Sequence, residues 1–236
     1  MDEDVRQQVA QGSSVLAANG HSDMVWGHLS VRDPEGRGIW IKQAGLGFEE
    51  VKANNVQLVS WDGELLVGAG QIHLEYHIHA QVMQARPDVG AVVHSHPEAC
   101  VTLAATGMPL LPLSHEATYF TPPNIARYTE SGDLIRTAEM GAAVAKALGA
   151  RNALLLVNHG IVVADRSVSS TVFAAILLEK ACRIQLAASA AAGGKPLDAS
   201  SEQEALDKRA RCYAPAQIQH GWEYLVRMHK AGVEQI

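Results

Sequence analysis

Cysteine and positive charge are both scarce in this sequence, and each shortage excludes a class of protein. The three cysteines, Cys100, Cys182 and Cys212, are far apart and odd in number, so a disulfide framework is not expected and a reducing, cytoplasmic environment is favoured. The formal net charge is −6, and no cluster of Lys or Arg interrupts it. This charge balance argues against a nucleic-acid-binding protein.

Targeting and membrane-spanning segments are also lacking. The first ten residues are acidic and polar, and they do not resemble a signal peptide. The longest apolar stretch, about 171–192, contains Glu179, Lys180 and Arg183. Charged residues at those positions indicate a buried amphipathic helix, so we expect no contact with a membrane.

Several enzyme motifs are absent as well. The chain contains no Gly-x-Ser-x-Gly elbow and no phosphate-binding Walker loop. The segments 45–47 (Gly-Leu-Gly) and 68–70 (Gly-Ala-Gly) lack the third glycine and the surrounding pattern of a dinucleotide site. These absences argue against serine-hydrolase and nucleotide-binding chemistry.

Strand and turn patterns alternate along most of the chain. Two hairpins are predicted, at 26–42 around an Asp-Pro-Glu-Gly turn and at 56–67 around Asp-Gly, and helices are predicted between the later strands. A length of 236 residues without an internal repeat suits one sizeable α/β domain, 1–236. Because tight turns join several strand pairs, the sheet should be mainly antiparallel, with helices packed on its faces.

The most informative motif is the triplet 94–96 (His-Ser-His), directly after the apolar run 89–93. Side chains alternate along a strand, so both imidazoles project from one face at a spacing that suits a single metal ion. His159 follows another apolar run, 153–157, and supplies a third imidazole at a turn. Three histidines leave an open position for substrate or water, as a catalytic metal requires.

Glu75 is the nearest candidate for acid–base chemistry. It lies in a predicted helix, 73–85, directly before the strand that carries His94. A carboxylate beside a divalent metal can ligate that metal or carry protons. On the same predicted helix, we expect His77 near the site and His79 in a structural role.

Together these residues resemble the class II aldolase/adducin superfamily. The matching segments hold their order and spacing from about residue 5 to 192. These segments are Gly27-His28-Leu29-Ser30-Val31-Arg32, the stretch Ile39 to Glu50, Glu75 with His77, Arg86-Pro87-Asp88 leading to His94-Ser95-His96-Pro97, and Asn158-His159-Gly160. The joint pattern is far more specific than any single piece of it.

The resemblance implies a three-layer αβα fold with a mainly antiparallel central sheet, and usually a fourfold-symmetric homotetramer with active sites at subunit interfaces. By position, His94, His96 and His159 match the metal ligands, and Glu75 matches the acid–base carboxylate that can also ligate the metal. One divalent ion per subunit is implied, and three imidazoles with a carboxylate leave zinc, manganese, iron and cobalt open. We expect the tail, about 195–236, at a subunit interface.

Departures from the family pattern concern the phosphate site. Sugar-phosphate aldolases of the family bind phosphate through an Asn, a Ser/Thr-Gly and a pair of serines, where this chain has His28, Ala44-Gly45 and His73-Leu74. Each lost charge-assisted hydrogen bond would cost about 1.5–3 kcal/mol. The substrate is therefore predicted not to be a phosphorylated sugar.

The family's aldolases also use a tyrosine proton donor beyond the second metal histidine. His115 takes that position here, and Tyr119 is both the second candidate for it and a predicted substrate contact. A Gly-His-Leu-Ser loop at 27–30 and a histidine-rich pocket resemble the decarboxylase branch of the family. That branch includes enzymes acting on hydroxylated aromatic dicarboxylates such as 3,4-dihydroxyphthalate and 3-hydroxy-2-methylpyridine-4,5-dicarboxylate.

The sequence thus predicts a divalent-metal-dependent carbon–carbon lyase that decarboxylates an ortho-hydroxy aromatic or heteroaromatic carboxylate in aromatic-compound catabolism. Glu75 or His115 would deliver the proton, and His28, His73 and Lys42 would bind a second carboxylate. An aldolase or epimerase acting on an unphosphorylated hydroxy-carbonyl substrate would use the same residues and is the alternative. A non-enzymatic adducin-like domain is disfavoured, because adducin head domains lack the metal histidines.

Overall fold

One sheet connects the strands of the described chain, residues 2–233 of a computed structural model. Its eight strands are β1 (His28–Arg32), β2 (Gly38–Lys42), β3 (Val56–Ser60), β4 (Leu65–Val67), β5 (Ala91–Ser95), β6 (Ala126–Tyr128), β7 (Ala153–Leu156) and β8 (Gly160–Asp165). They lie in the order β4-β3-β2-β1-β5-β8-β7-β6. Neighbouring strands are antiparallel except β6 and β7, which are parallel, so the sheet is mixed but mainly antiparallel, as predicted.

Helices cover both faces of this sheet. They are α1 (Asp2–Leu16), α2 (Tyr76–Ala85), α3 (Glu98–Thr106), α4 (His115–Thr118), α5 (Ala138–Leu148), α6 (Val168–Ala192), α7 (Glu202–Cys212) and α8 (Pro215–Lys230). Helices α2 and α5 contribute Ile78 and Val144 to the core on one face. Helices α1, α3 and α6 contribute Val9, Leu103 and Val172 to the core on the other. The predicted three-layer αβα fold is confirmed.

Strand β5 shows how the alternation of side chains builds these two cores. Val92 faces the core beneath α2 and α5, whereas Ala91 and Val93 face the core beneath α1, α3 and α6. Because both faces of the sheet are covered, the strand has an uninterrupted apolar sequence. His94, two residues after Val92, lies on the side of the sheet that α2 covers.

Strand pairing brings three motif segments to one end of the sheet. His28 of β1 pairs with His94 of β5, and Ser95 of β5 pairs with Ile161 of β8. His159 directly precedes β8, so it reaches the same end as His94. Strand register thus brings the segments of the predicted metal site together, although these segments lie far apart in the sequence.

Helix α2 begins later than the sequence predicts. The predicted helix covers 73–85, but the first helical residue is Tyr76, and Glu75 is the N-cap residue. His73 lies in the preceding turn, where its carbonyl oxygen accepts the Tyr76 N–H at 3.1 Å. The helix therefore starts at the site, and Glu75 and His73 are free to point away from its axis.

The charged residues within the apolar stretch of α6 include one with a defined structural role. Glu179 is buried, and its carboxylate accepts the backbone N–H groups of Ala99 and Cys100 at 3.1 and 3.0 Å. A carboxylate there stabilises the N-terminus of α3, whose first N–H groups lack partners within the helix. None of the helices found within residues 2–233 has both the length and the apolar character needed to cross a bilayer.

Candidate metal centre

Three imidazoles meet at the end of β5. The ligand atoms of His94, His96 and His159 all lie within 4.8 Å of one another, and Nε2 of His94 is 3.1 Å from Nε2 of His96. Nitrogen ligands held about 2.0–2.1 Å from a tetrahedral zinc ion are about 3.3 Å apart. The arrangement could therefore hold a divalent metal ion.

Hydrogen bonds behind two of these rings assign their tautomers. His94 Nδ1 lies 2.9 Å from the carbonyl oxygen of Ile161 and donates to it. His96 Nδ1 lies 2.9 Å from Asp23 Oδ2 and donates to that carboxylate. Both Nε2 atoms then present lone pairs toward each other, as two ligands of one cation would.

His159 is held at a tight turn between β7 and β8. Asn158 has a φ of 60°, and Gly160 lies so close to β5 that a Cβ there would be 2.4 Å from the Ser95 carbonyl oxygen. Both ring nitrogens of His159 are buried without a hydrogen-bond partner. Burial, reinforced by His94, lowers the pKa of His159 to about 4, so the ring is neutral at pH 7 and suits a metal.

Glu75 points its carboxylate into the same cluster. Its Oε1 accepts the backbone N–H of Ile135 at 2.8 Å and lies 3.6 Å from His159 Nε2, and its Oε2 lies 3.5 Å from His94 Nε2. Burial by itself raises the pKa of Glu75, but the facing imidazoles of His28 and His94 outweigh burial and hold that pKa well below its usual range. Glu75 is therefore an ionised carboxylate close to the metal-binding nitrogens.

A buried chain of polar side chains starts at Glu75. His28 Nε2 lies 3.9 Å from Glu75 Oε2, His28 Nδ1 lies 2.6 Å from His79 Nε2, and His79 Nδ1 lies 2.6 Å from Ser30 Oγ. Burial, reinforced by neighbouring histidines, holds the pKa values of His28 and His79 well below 6.5, so both rings are neutral. His28 is fully buried and does not line the cavity, so its predicted contact with substrate stays a prediction.

Of the other two predicted carboxylate-binding residues, His73 lines the cavity and Lys42 does not. Lys42 is fully buried because its Nζ donates to the carbonyl oxygens of Val25 and Leu46, at 2.9 and 2.6 Å. Burial lowers the pKa of Lys42 to about 8. Within the described chain the Lys42 ammonium group therefore holds the loop that follows β2, and its contact with substrate stays a prediction.

His115 and Tyr119 lie apart from the histidine cluster within one chain. His115 is exposed at the start of α4, and its Nδ1 is 3.2 Å from Cys212 Sγ. Tyr119 packs against Tyr213 and donates its hydroxyl to Asp165 Oδ2 at 3.3 Å, at the end of β8 remote from His159. Neither residue lines the cavity, so either could reach substrate only across a subunit interface.

A cavity of about 1320 Å³ opens beside the cluster. Glu75, His96 and His159 form its polar end, and His73 lies next to them. Apolar side chains supply most of the remaining wall, and they are Val25, Trp26, Leu65, Ile72, Leu74, Val101 and Leu134. No Lys or Arg belongs to this wall in the part of the chain that the structure describes.

Asp23 is a site residue that sequence reasoning missed. It orients His96 from 73 positions away, and no local motif marks it. His77, which we expected near the site, does not line the cavity; its ring lies beside that of Tyr76 at an angle of 35°, and its carbonyl oxygen faces Gly141 of α5.

Comparisons with known proteins agree with this geometry. Residues 7–186 match the family model of the Class II Aldolase and Adducin N-terminal domain. The chain is similar to the 3,4-dihydroxyphthalate decarboxylase of Terrabacter sp. (strain DBF63), at 31% identity over 84% of this chain and 86% of that protein. It is also similar to the 5-methylthioribulose-1-phosphate/5-deoxyribulose-1-phosphate aldolase of Rhodospirillum rubrum, at 31% identity over 65% and 67% of the two chains. The solved L-fuculose 1-phosphate aldolase from Glaciozyma antarctica PI12 superposes with a TM-score of 0.84, at 26% identity over 98% of this chain and 91% of that one.

Proposed function

We infer the reaction of this enzyme from its family, because the chain belongs to the class II aldolase and adducin family and is an enzyme of the class II aldolase type. The reaction is the divalent-metal-dependent decarboxylation of an ortho-hydroxy aromatic or heteroaromatic carboxylate. The wall of the cavity carries this proposal, because apolar side chains line it beside His96, His159 and Glu75, without a Lys or Arg among the described wall residues. Such a wall suits an aromatic ring and offers no cation to a phosphate group.

The relatives support this choice without deciding it. One relative with broad coverage is named for decarboxylating 3,4-dihydroxyphthalate, whereas the 5-methylthioribulose-1-phosphate/5-deoxyribulose-1-phosphate aldolase matches a smaller share of the chain. Aldol cleavage and decarboxylation both break a carbon–carbon bond and leave an electron pair that must be stabilised. The same polar end of the cavity can therefore serve either reaction, and the apolar wall favours the aromatic substrate.

His94, His96 and His159 would hold a divalent ion that supplies Lewis acidity toward the phenolic oxygen and the neighbouring carboxylate. Glu75, whose carboxylate oxygens lie 3.5 Å from His94 Nε2 and 3.6 Å from His159 Nε2, accepts the phenolic proton. As carbon dioxide leaves, the bonding pair stays on the ring carbon, and Glu75 returns the proton to that carbon. The product phenolate then takes one proton from solvent, which balances the reaction.

His73 is placed to bind a second carboxylate of the substrate. It lines the cavity, and burial, reinforced by Lys42, lowers its pKa to about 4. The ring is neutral at pH 7, so it offers one N–H donor and no charge. A dicarboxylate would therefore bind through hydrogen bonding at this position and not through an ion pair.

Assays of the metal-loaded enzyme would test the reaction. We expect carbon dioxide release from 3,4-dihydroxyphthalate or 3-hydroxy-2-methylpyridine-4,5-dicarboxylate, and loss of that release in Glu75→Gln and His94→Ala. The matched control is Asp62→Asn, which neutralises an exposed carboxylate in the β3–β4 turn. Release of pyruvate or glycolaldehyde from hydroxy-carbonyl substrates, without carbon dioxide, would instead identify an aldolase.

We further propose that the site is completed across subunits of a homotetramer, with the tail at about 195–236 at the interface and His115 or Tyr119 donated to a neighbouring cavity. The exposure of His115 and the position of both residues outside their own chain's cavity support this arrangement. Mixing Glu75→Gln subunits with His115→Asn subunits should restore part of the activity, because some sites then receive both native residues. Mixtures no more active than either variant, with subunit exchange verified, would contradict a shared site through His115.

A further inference from the structure

Three fully buried side chains, none of them among the histidines His94, His96 and His159, lead to the carboxylate of Glu75. We propose that Ser30, His79 and His28 form a positioning chain that presents the Nε2–H of His28 to Glu75 Oε2. The chain fixes the carboxylate in the orientation from which it exchanges protons with substrate. This inference rests on the proposed acid–base role of Glu75, and its test includes measurements that need no substrate.

The fold builds the chain from two elements that pack face to face. His28 and Ser30 are two residues apart on β1, so both side chains lie on one face of the sheet. Helix α2 covers that face and supplies His79, which contacts both of them at 2.6 Å. All three side chains have no exposed surface, so water cannot replace these hydrogen bonds.

In the hydrogen bond between the two rings one nitrogen donates and the other accepts, so with one proton on each ring the chain has one of two directions. In the first, the Ser30 hydroxyl donates to His79 Nδ1, His79 Nε2–H donates to His28 Nδ1, and the remaining His28 proton on Nε2 faces Glu75. In the second, His28 Nδ1–H donates to His79, and a bare lone pair of His28 faces the carboxylate. The Ser30 hydroxyl can rotate to serve either direction.

The charge of Glu75 favours the first direction. The backbone carbonyl of Val92 also lies against the His79 ring and competes for its proton. A neutral carbonyl is the weaker competitor, because hydrogen bonds to an ionised acceptor are about twice as strong as neutral ones. His28 Nε2 has no hydrogen-bond partner within residues 2–233, and Glu75 Oε2 at 3.9 Å is the anionic acceptor that it faces. Bringing His28 Nε2 and Glu75 Oε2 about 1 Å closer would complete a hydrogen bond between them.

The direction of the chain can be measured without any substrate. In zinc-loaded protein labelled with 15N-histidine, long-range proton–nitrogen spectra should show that His28 and His79 both carry their proton on Nε2. Ser30→Ala removes the hydroxyl donor, so His79 should then turn its proton to Nδ1 and the Val92 carbonyl, which reverses both rings. A proton on Nδ1 of either ring in the native protein would overturn the proposal, including the case in which His28 Nε2 binds the metal.

Kinetics then separate positioning from general stability. Loss of an outer hydrogen-bond partner costs about 10–100-fold in activity at metal sites, so we expect His79→Leu to lower kcat at least tenfold with KM changed less than twofold. His79→Gln keeps an N–H donor for His28 and should recover most of that loss. Thr171→Val removes a buried hydroxyl from α6 and should leave kcat unchanged at a comparable melting temperature. Equal kcat for His79→Leu and His79→Gln, with both folded, would refute the positioning role.

Discussion

Asp23 provides the sharpest test of how the metal centre is organised. Its Oδ2 accepts the His96 Nδ1–H at 2.9 Å, which leaves the Nε2 lone pair for the metal. In Asp23→Asn, the amide can turn its NH₂ toward His96 and stabilise the wrong tautomer. Outer partners of this kind are worth about 10–100-fold in metal affinity, or about 1.4–2.7 kcal/mol.

The solvent exposure of Asp23 narrows the expected loss of metal affinity. About a third of its side chain, 34%, is open to solvent, so water can partly replace the carboxylate. We therefore expect the lower end, a rise of about tenfold in the zinc Kd. His94 should remain a good ligand, because its own orienting acceptor is the Ile161 carbonyl oxygen, which the substitution does not alter.

Competition with a chromophoric zinc chelator measures the Kd directly, and circular dichroism verifies that the variant is folded. Asp62→Asn removes the same unit of charge from an exposed turn and should bind zinc as the native protein does. A zinc Kd for folded Asp23→Asn within twofold of the native value would refute the orienting role. An equal rise of the zinc Kd in both variants would show that the effect comes from overall charge.

Three further predictions concern the frame around the site. Gly160→Ala should lower the free energy of unfolding by about 1–3 kcal/mol, because its Cβ would lie 2.4 Å from the Ser95 carbonyl oxygen and 2.7 Å from the His96 ring; an unchanged urea midpoint would contradict this. Burial lowers the pKa of His21 to about 4 from 6.5. The contribution of the neutral His21 ring to the free energy of unfolding, about 3 kcal/mol, is therefore complete above pH 6.5 and is lost as the pH falls through 4. His21→Gln should flatten the decline of unfolding free energy over that window, and a profile parallel to the native one would contradict the assignment. Lys42→Met should destabilise the fold by about 1–3 kcal/mol, since the Val25 and Leu46 carbonyls lose their hydrogen-bond donor. A raised KM at an unchanged free energy of unfolding would instead support the predicted substrate-binding role of Lys42.

The histidine cluster that could hold a metal was predictable because its signal is local. A strand period of two places His94 and His96 together, and an apolar run before His159 marks a second strand end. Glu75 was predictable in part, since α2 directly precedes β5 in the chain. The start of α2 at Tyr76 was not, because helix ends depend on which backbone groups the surroundings satisfy.

Two predicted substrate residues show where sequence reasoning stops. The resemblance assigned His28, at the position of the family's phosphate-binding Asn, and Lys42, within the matching stretch Ile39 to Glu50, to substrate. Whether such a side chain meets the cavity depends on what packs over it. His28 is covered by α2 and Lys42 is covered by its own following loop, and neither contact has a signature in the sequence.

The sequence by itself determined the fold class, the family pattern and the three histidines, because periodicity and spacing act over a few residues. Only the tertiary structure decided which neighbours complete the site. Asp23 reaches His96 across 73 positions, and Ser30 and His79 meet across 49, through strand register and helix packing. Contacts at such separations follow from how the sheet is assembled, so the roles of these residues exist only in the folded chain.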